Sequence, residues 1–212
     1  MSSTDICSIE ELRAVLPEGL GSSDAKVLTR LDAHCRRFIE ASPFLVIASR
    51  DADGHMDVSP KGDPPGFVQV LDDTTIAIPE RPGNRRCDTY TNVLQVDDVA
   101  IIFLVPGIDM TLRVMGHGRL TTEPELLARM AVGGKVPAMA LVVDITETFV
   151  HCGKAPKRGG LWGTANHVDP ADFPTMGEMM HDHAKANLGD AMPFSKDDME
   201  SFVDDDYQNN VY

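Results

Sequence analysis

Residues 99–121 read VAIIFLVPGIDMTLRVMGHGRLT and indicate two strands joined by a tight turn. Val99–Val105 is a continuous apolar run, and Pro106 with Gly107 are residues that turns favour. Thr111–Thr121 follows as a second strand. Connections this short join antiparallel neighbours, because parallel strands need a longer crossover. The segment therefore predicts hairpin connectivity.

Strand signals recur on both sides of this hairpin. Asp53-Gly54 and Asp72-Asp73 are turn signals flanked by apolar segments. The further strand candidates are 44–49, 56–59, 66–71, 74–78 and 138–152. Six or seven strands with few helices predict a mainly β (α+β) fold, a small antiparallel barrel.

Helical signals lie around these strands, and the longest is an amphipathic pattern over 24–41. Ser8 with Glu11 resembles a capping box that opens a short peripheral helix. The remaining candidates are 88–96, 123–131 and 174–188. A chain of 212 residues fits one domain, with N-terminal helices over 1–42, a barrel core over 43–163 and a C-terminal extension over 164–212.

The bulk composition excludes several classes of partner. Asp and Glu number 33 against 19 Lys and Arg, which gives a net charge of −14. Such a surface repels nucleic acids and anionic membranes, so neither is expected as a partner. The first residues, MSSTDICSIEEL, lack a secretory pattern, and the longest apolar run is too short to span a bilayer, so a cytoplasmic protein is expected. Four scattered cysteines predict free thiols.

Residues 78–88, IPERPGNRRCD, concentrate positive charge in this acidic chain. Arg81, Arg85 and Arg86 surround a Pro-Gly-Asn turn. Guanidinium groups donate paired hydrogen bonds to phosphate or carboxylate, and a glycine-containing turn lets backbone N–H groups approach an anion. The segment predicts a phosphate-binding loop, and the alternative is a solvated surface turn.

Two further segments place cations close to strands. Ser59–Phe67, SPKGDPPGF, puts Lys61 where a strand ends in a turn, either near an anion at the barrel rim or in solvent. Arg113 lies in a strand on the face opposite Leu112 and Val114. It either faces solvent or contacts a flat ligand, for which two glycines close behind it leave room.

His151–Gly163, HCGKAPKRGGLWG, combines Lys154, Lys157, Arg158 and Trp162, the only tryptophan. Cations and an aromatic ring together can hold a ring system and its phosphate, or they form a basic loop beside a core tryptophan. Glu178-x-x-His181 is a weak metal signal without a second copy, and no metal is expected. A G-x-S-x-G nucleophile motif is absent from the sequence, which disfavours covalent hydrolysis.

Five motifs together, SPKGDPPGFV, IPERPGNRRCDTYTNVL, VAIIFLVPG, TLRVMGHGRL and FVHCGKAPKRGGLW, resemble the pyridoxamine 5′-phosphate oxidase-like, FMN-binding split-barrel proteins, in a branch of unassigned substrate. The similarity runs from about residue 44 to residue 162. It implies a six-stranded antiparallel split β-barrel with peripheral helices. It also implies a homodimer with FMN at the subunit interface.

The resemblance implies which residues bind the cofactor. The phosphate-binding stretch falls on Asn84, Arg85 and Arg86, with Ser59 and Lys61 at the strand position and Arg81 added by spacing. Arg113 takes the position aimed at the flavin ring, where a cation would raise the reduction potential. Arg158 and Trp162 resemble the partner subunit's contribution. Catalytic residues stay unassigned.

One departure limits the functional prediction. After LWGTANHVDP the sequence lacks the arginine and histidine pattern that holds the substrate phosphate in the oxidase itself, so that oxidation is doubtful. The expectation is an FMN-dependent oxidoreductase acting on an unidentified small organic molecule by hydride transfer at flavin N5. The alternatives are a non-catalytic flavin-binding or haem-binding split barrel, or a reductase using the deazaflavin F420.

Overall fold

The computed structural model describes residues 4–19 and 25–212. Its centre is a seven-stranded sheet of antiparallel pairs, in the order β2-β1-β5-β6-β7-β4-β3. The strands are β1 (Phe44–Arg50), β2 (Met56–Gly62), β3 (Gln69–Val70), β4 (Thr75–Pro79), β5 (Asp98–Leu104), β6 (Thr111–Thr121) and β7 (Ala140–His151). The expected mainly β antiparallel split-barrel class is confirmed, with seven strands instead of six.

Seven helices surround this sheet in the described part of the chain. They are α1 (Ile9–Val15), α2 (Ala33–Ala41), α3 (Asp88–Val93), α4 (Pro124–Arg129), α5 (Lys154–Gly159), α6 (Met176–Leu188) and α7 (Lys196–Asn209), with short 3₁₀ turns between the later ones. In α1 no residue is buried, so its peripheral position is confirmed. None of these helices combines the length and the apolar character needed to cross a membrane.

The core lies on one face of the strands. Leu45 and Ile47 of β1 are fully buried there, together with Ile101 and Phe103 of β5 and Leu112 and Val114 of β6, and α2 covers them with Cys35 and Ile39. These positions alternate along each strand, as a one-sided sheet requires. A second apolar cluster forms on the other face of β7, where Leu126, Leu127 and Met130 of the α4 region cover Ala140 and Val142.

One helix prediction needs correction in its bounds. The pattern over 24–41 gives a helix only from Ala33, because the Asp32 side chain accepts the Cys35 backbone N–H and caps the first turn. Upstream, the Leu28 backbone exchanges two hydrogen bonds with Thr148 of β7, a sheet-like contact that competes with helix. Residue 24 lies outside the described residues.

Helix α7 lies in the C-terminal extension, beyond the last helix candidate of the sequence analysis. Ser195 and Asp198 form a reciprocal capping box that opens α7. Gly177 of α6 lies so close to the Glu200 backbone that a Cβ there would stand 2.7 Å from Glu200 Cα. Tight packing on α6 therefore supports a helix whose acidic composition gives little sign of it.

Candidate functional site

Strand β2 lies at one edge of the sheet and turns polar side chains toward the core side. Its register pairs Lys61 with Leu45, Ser59 with Ile47 and Asp57 with Ser49. Directly paired residues share a face, and all three β1 residues are buried. The inner face of β2 is thus a row of Asp57, Ser59 and Lys61, which we call the strand wall.

Lys61 occupies a half-buried position between this strand and α3. Its Nζ donates a hydrogen bond to Ser59 Oγ at 2.9 Å and lies 5.1 Å from the centre of the Tyr90 ring. Burial lowers the pKa of Lys61 below that of an ordinary lysine, while the carboxylates of Asp57 and Glu80 act in the opposite direction. Lys61 is therefore a partly desolvated cation, and the interpretation of it as a solvated turn lysine does not fit the structure.

Helix α3 is fixed against the same strands by two side-chain hydrogen bonds. Thr89 Oγ1 donates to Asp57 Oδ2 at 2.8 Å, and Asn92 Nδ2 donates to Ser49 Oγ at 3.1 Å. Tyr90 follows Thr89 and is half-buried, and burial is the main cause that raises the pKa of its hydroxyl. These contacts hold the Tyr90 ring beside Lys61.

The loop between β4 and α3 has an unusual backbone. Arg85 and Cys87 adopt positive φ angles of 55° and 60° without being glycine. Each such residue costs roughly 1–3 kcal/mol, so the surrounding structure must hold it in place. Asn84 Oδ1 contributes by accepting the Arg86 backbone N–H at 3.0 Å.

This loop and the strand wall enclose a cleft of about 560 Å³. That volume is within the range of small-molecule sites. Four cations and three carboxylates line it, in a chain whose net charge is −14. The lining residues are Asp57, Val58, Ser59, Pro60, Lys61, Glu80, Arg81, Pro82, Gly83, Asn84, Arg85, Arg86, Cys87, Asp88, Thr89 and Tyr90.

The two arginines at the loop tip differ in their partners. Arg86 Nε donates to Asp88 Oδ2 at 2.7 Å, in an exposed ion pair. Arg85 is exposed and forms no ion pair with any described residue. Arg85 is thus a cation held at the cleft by a positive-φ backbone without a carboxylate to neutralise it.

Arg81 lines the same cleft, but its guanidinium group is engaged inside the protein. Nε donates to Asp63 Oδ2 at 2.6 Å, and an Nη donates to the Met130 carbonyl at 2.7 Å. Its side chain is 14% exposed, and that of Asp63 is 1% exposed. The geometry places Arg81 in an internal ion pair, and its role as a phosphate ligand stays a prediction.

The other three predicted site residues lie outside this cleft. Arg113 is on the outer face of β6, with its guanidinium carbon 5.1 Å from the centre of the Phe149 ring of β7. Trp162 Nε1 donates to the Ile108 carbonyl in the β5–β6 turn at 3.0 Å, and Arg158 is exposed on α5. Ser59, Lys61, Asn84, Arg85 and Arg86 are therefore brought together within one chain, whereas Arg113, Arg158 and Trp162 are not.

Sequence reasoning missed several residues of this cleft. Asp57 alternates with Ser59 and Lys61, so the two-residue strand period could have placed it on the same wall. Thr89 and Tyr90 gave no comparable signal, because only the packing of α3 shows which of its residues face β2.

The weak metal signal in α6 is not assembled into a site by the described residues. Glu178 accepts a hydrogen bond from Lys196 Nζ at 2.5 Å, and His181 pairs with its neighbour Asp182. In the described part of the chain, groups of three potential ligands occur at Asp51, Asp53 and His55, and at Asp97, Asp98 and His117. Both groups are largely exposed and lie outside the cleft.

Several known proteins are similar to this chain in fold or in sequence pattern. The chain is similar in fold to a putative pyridoxamine 5′-phosphate oxidase of Lactobacillus delbrueckii (21% identity, 57% of this chain and 95% of that one, TM-score 0.45). It also resembles an FMN-binding protein of Syntrophomonas wolfei (15% identity, 55% of this chain and 88% of that one, TM-score 0.42). A third similar structure is the haem storage protein HutZ of Vibrio cholerae (15% identity, 57% of this chain and 94% of that one, TM-score 0.42). No curated protein matches the chain. The family model for pyridoxamine 5′-phosphate oxidase matches residues 31–152, which is more than half of the sequence and contains the whole cleft. The protein therefore belongs to the pyridoxamine 5′-phosphate oxidase family.

Proposed function

We propose that the cleft binds FMN and that the protein is a flavin-dependent oxidoreductase. The observation that supports this most is the arrangement of two walls, with exposed guanidinium groups on a positive-φ loop opposite a half-buried lysine and tyrosine. Exposed cations concentrated in one part of an acidic protein attract an anion there.

The residues that line the cleft fit the phosphate group of this cofactor. Arg85, Arg86 and the Asn84 amide NH₂ would hold the phosphate, because guanidinium and amide groups are strong donors to its oxygens. Lys61 and Ser59 would supply a further cation and hydroxyl from the strand wall. Arg81 would position the loop through its internal ion pair.

The second part of the proposal is a homodimer with the cofactor between subunits. The outer sheet face carries the row Pro60, Val46, Ile102, Arg113 and Phe149 across five strands. Beside this row, Val58 and Met56 of β2 are 63% and 66% exposed. Apolar side chains in a continuous sheet face favour burial against another protein surface. A second copy on this face accounts for Arg113, Arg158 and Trp162 lying outside the cleft of their own chain.

When bound, FMN supplies hydride exchange at N5 with a small organic substrate. The protein binds and orients the cofactor and adjusts its electrostatic environment. Arg113, if brought to the flavin ring by dimerisation, would favour the negative charge of the reduced form and raise its potential. We propose no protein group as a proton donor or acceptor.

The direct test is to purify the protein and examine the bound chromophore. A yellow protein that releases FMN on denaturation, or binds added FMN with micromolar or tighter affinity, is expected. A protein without chromophore and without affinity for FMN would contradict the proposal. Reduction of the bound flavin by a nicotinamide donor, followed by reoxidation with turnover, would support the oxidoreductase, and bound flavin without turnover would support the storage or sensing alternative.

Competition between cofactors separates the remaining alternatives. F420 has a longer acidic tail that needs additional cations, and the cleft already contains three carboxylates, so FMN is expected to bind more tightly. Haem affinity above that for FMN would favour the haem-binding alternative instead.

The dimer has its own test in Met56→Asp, which places a carboxylate in the exposed apolar face outside the cleft lining. We expect the variant to become monomeric by light scattering and to lose FMN affinity. Val168→Asp is the matched control, since Val168 is 61% exposed in the C-terminal extension. A wild-type protein that is monomeric at micromolar concentration with FMN bound would overturn the interface.

A further inference from the structure

A buried carboxylate connects the cleft to the C-terminal segment. Asp63 follows β2 and has a side chain that is only 1% exposed. One oxygen, Oδ2, accepts Arg81 Nε at 2.6 Å, and the other, Oδ1, accepts the Tyr212 hydroxyl at 2.6 Å. Both oxygens are therefore occupied, one by a lining residue of the cleft and one by the final residue of the described chain.

Tyr212 makes two more contacts at this point. Its ring centre lies 5.6 Å from the Arg81 guanidinium carbon, within the range of a cation–π interaction. Its main-chain carbonyl accepts Lys135 Nζ at 2.6 Å. The hydrogen bond to Asp63 is also the main cause that raises the pKa of the Tyr212 hydroxyl.

Arg81 stands at the start of the loop that supplies the cleft's exposed cations. Glu80, just before it, donates its backbone N–H to the Met139 carbonyl at 3.0 Å, and Arg81 reaches Met130 as well as Asp63. Pro82–Cys87 then extends into the cleft wall. Whatever fixes Arg81 also fixes the direction in which this loop leaves β4.

We propose that Tyr212 and Asp63 are positioning residues for the cleft, so that docking of the C-terminal segment and binding of a phosphate-bearing ligand stabilise each other. The segment after α7, which we call the C-terminal strap (Asn210–Tyr212), holds Arg81 and thereby preorganises the loop. A preorganised loop binds more tightly because it loses less conformational entropy on binding. Coupling of this kind is reciprocal, so a ligand in the cleft must also strengthen docking of the strap. The choice of FMN as ligand rests on the proposed function, whereas the link from strap to loop does not.

The first arm of the test uses the full chain without ligand. Hydrogen exchange in peptides covering 80–90 is compared between wild type and Tyr212→Ala, with Tyr207→Ala as control because Tyr207 is 65% exposed on α7. We expect faster exchange in Tyr212→Ala only. Tyr212→Phe keeps the ring and loses the hydroxyl, so it should show a smaller increase. Unchanged exchange in Tyr212→Ala would overturn the proposal, with or without FMN binding.

The second arm adds FMN and measures both directions of the coupling. The dissociation constant of Tyr212→Ala should rise about fivefold or more relative to wild type and to Tyr207→Ala. In wild type, FMN should slow exchange in peptides covering 205–212. A merely structural role would lower the melting temperature without this ligand-dependent protection, and unchanged affinity with unprotected peptides would overturn the coupling. If wild type fails to bind FMN, the proposed function fails, while the ligand-free arm still decides the role of the strap.

Discussion

The root and the tip of the loop between β4 and α3 use the same residue type in opposite ways. At the root, Arg81 is 14% exposed and bonded to a carboxylate that is itself 1% exposed. At the tip, Arg85 and Arg86 are exposed, and Arg86 alone forms an ion pair there, with a partly exposed aspartate. The root therefore stabilises the fold, and the tip retains donors for a ligand. The arginines of this loop therefore form two sets with separate roles, Arg81 at the root and Arg85 with Arg86 at the tip.

The largest expected effect is on stability and comes from breaking the root. Arg81→Ala leaves the Asp63 carboxylate buried with the Tyr212 hydroxyl as its remaining partner. Removing one member of a buried ion pair costs about 3–5 kcal/mol, because the other charge stays desolvated. Urea unfolding followed by circular dichroism, at a temperature where the variant is folded, should show a free energy of unfolding lowered by this amount.

Arg86→Ala is the control from the same loop. Its ion pair is exposed, and such pairs contribute at most about 1 kcal/mol. Near-equal destabilisation by the two substitutions would refute the distinction between root and tip.

The tip should show its effect in ligand affinity. Arg85→Ala combined with Arg86→Ala removes two guanidinium groups that would bond the FMN phosphate. Hydrogen bonds to charged groups contribute roughly 1.5–3 kcal/mol each, so FMN binding should weaken by at least about 2 kcal/mol, or about 30-fold. Calorimetric or fluorescence titration measures it.

A pair of exposed arginines elsewhere serves as the matched control. Arg30→Ala with Arg37→Ala changes the net charge by the same amount in the region of α2, away from the cleft. Equal loss of affinity in both double variants would mean that overall charge, and not the loop tip, governs binding. Unchanged affinity in the loop variant would return this cluster to an ordinary surface turn.

Much of the fold was predictable because its signals are local. The Pro-Gly turn at 106–107 and the apolar runs beside it gave β5 and β6 nearly to the residue. Errors arose where distant residues decide. Leu28 lies in a helical pattern, yet its backbone pairs with Thr148, and β3 is reduced to two residues because its pairing with β4 ends there.

The site divides in the same way. Lys61, Arg85 and Arg86 could be singled out as candidates because cations stand out in an acidic sequence, whereas Asn84 became a candidate only through the family resemblance. The internal ion pair of Arg81 could not be predicted in this way, because it depends on the buried carboxylate of Asp63. That carboxylate also accepts a hydrogen bond from the hydroxyl of Tyr212, which is 149 positions further along the chain. Spacing alone does not reveal which of several arginines will meet a buried carboxylate.

A smaller effect on affinity is expected at the strand wall. Lys61→Met removes a cation that is already desolvated and bonded to Ser59, so the variant should fold. FMN binding should weaken by about 1.5 kcal/mol, close to tenfold, which is less than in the double arginine variant. Lys185→Met is the control, because Lys185 is an exposed lysine on α6 and lies outside the cleft. A loss exceeding that of the arginine pair would make the strand wall, and not the loop tip, the main anion site.

The smallest expected effect is a pH dependence of FMN affinity that comes from Lys61 of the strand wall. Burial lowers the pKa of Lys61 below 10.5, so its positive charge is lost at a lower pH than that of an exposed lysine. FMN affinity of wild type should therefore fall as the pH rises through this lowered pKa, whereas Lys61→Arg should keep its affinity because guanidinium stays charged. The ratio of the two affinities removes any titration of FMN itself.

Stability must change in the opposite direction: between the lowered pKa and 10.5 the unfolded chain binds more protons at this lysine, so the contribution of Lys61 to the free energy of unfolding rises with pH. The difference between wild type and Lys61→Met isolates that contribution from the other ionisable groups of the protein. An affinity ratio that stays constant up to pH 10.5 would show that Lys61 is an ordinary exposed lysine, and the strand wall would then lose its separate role.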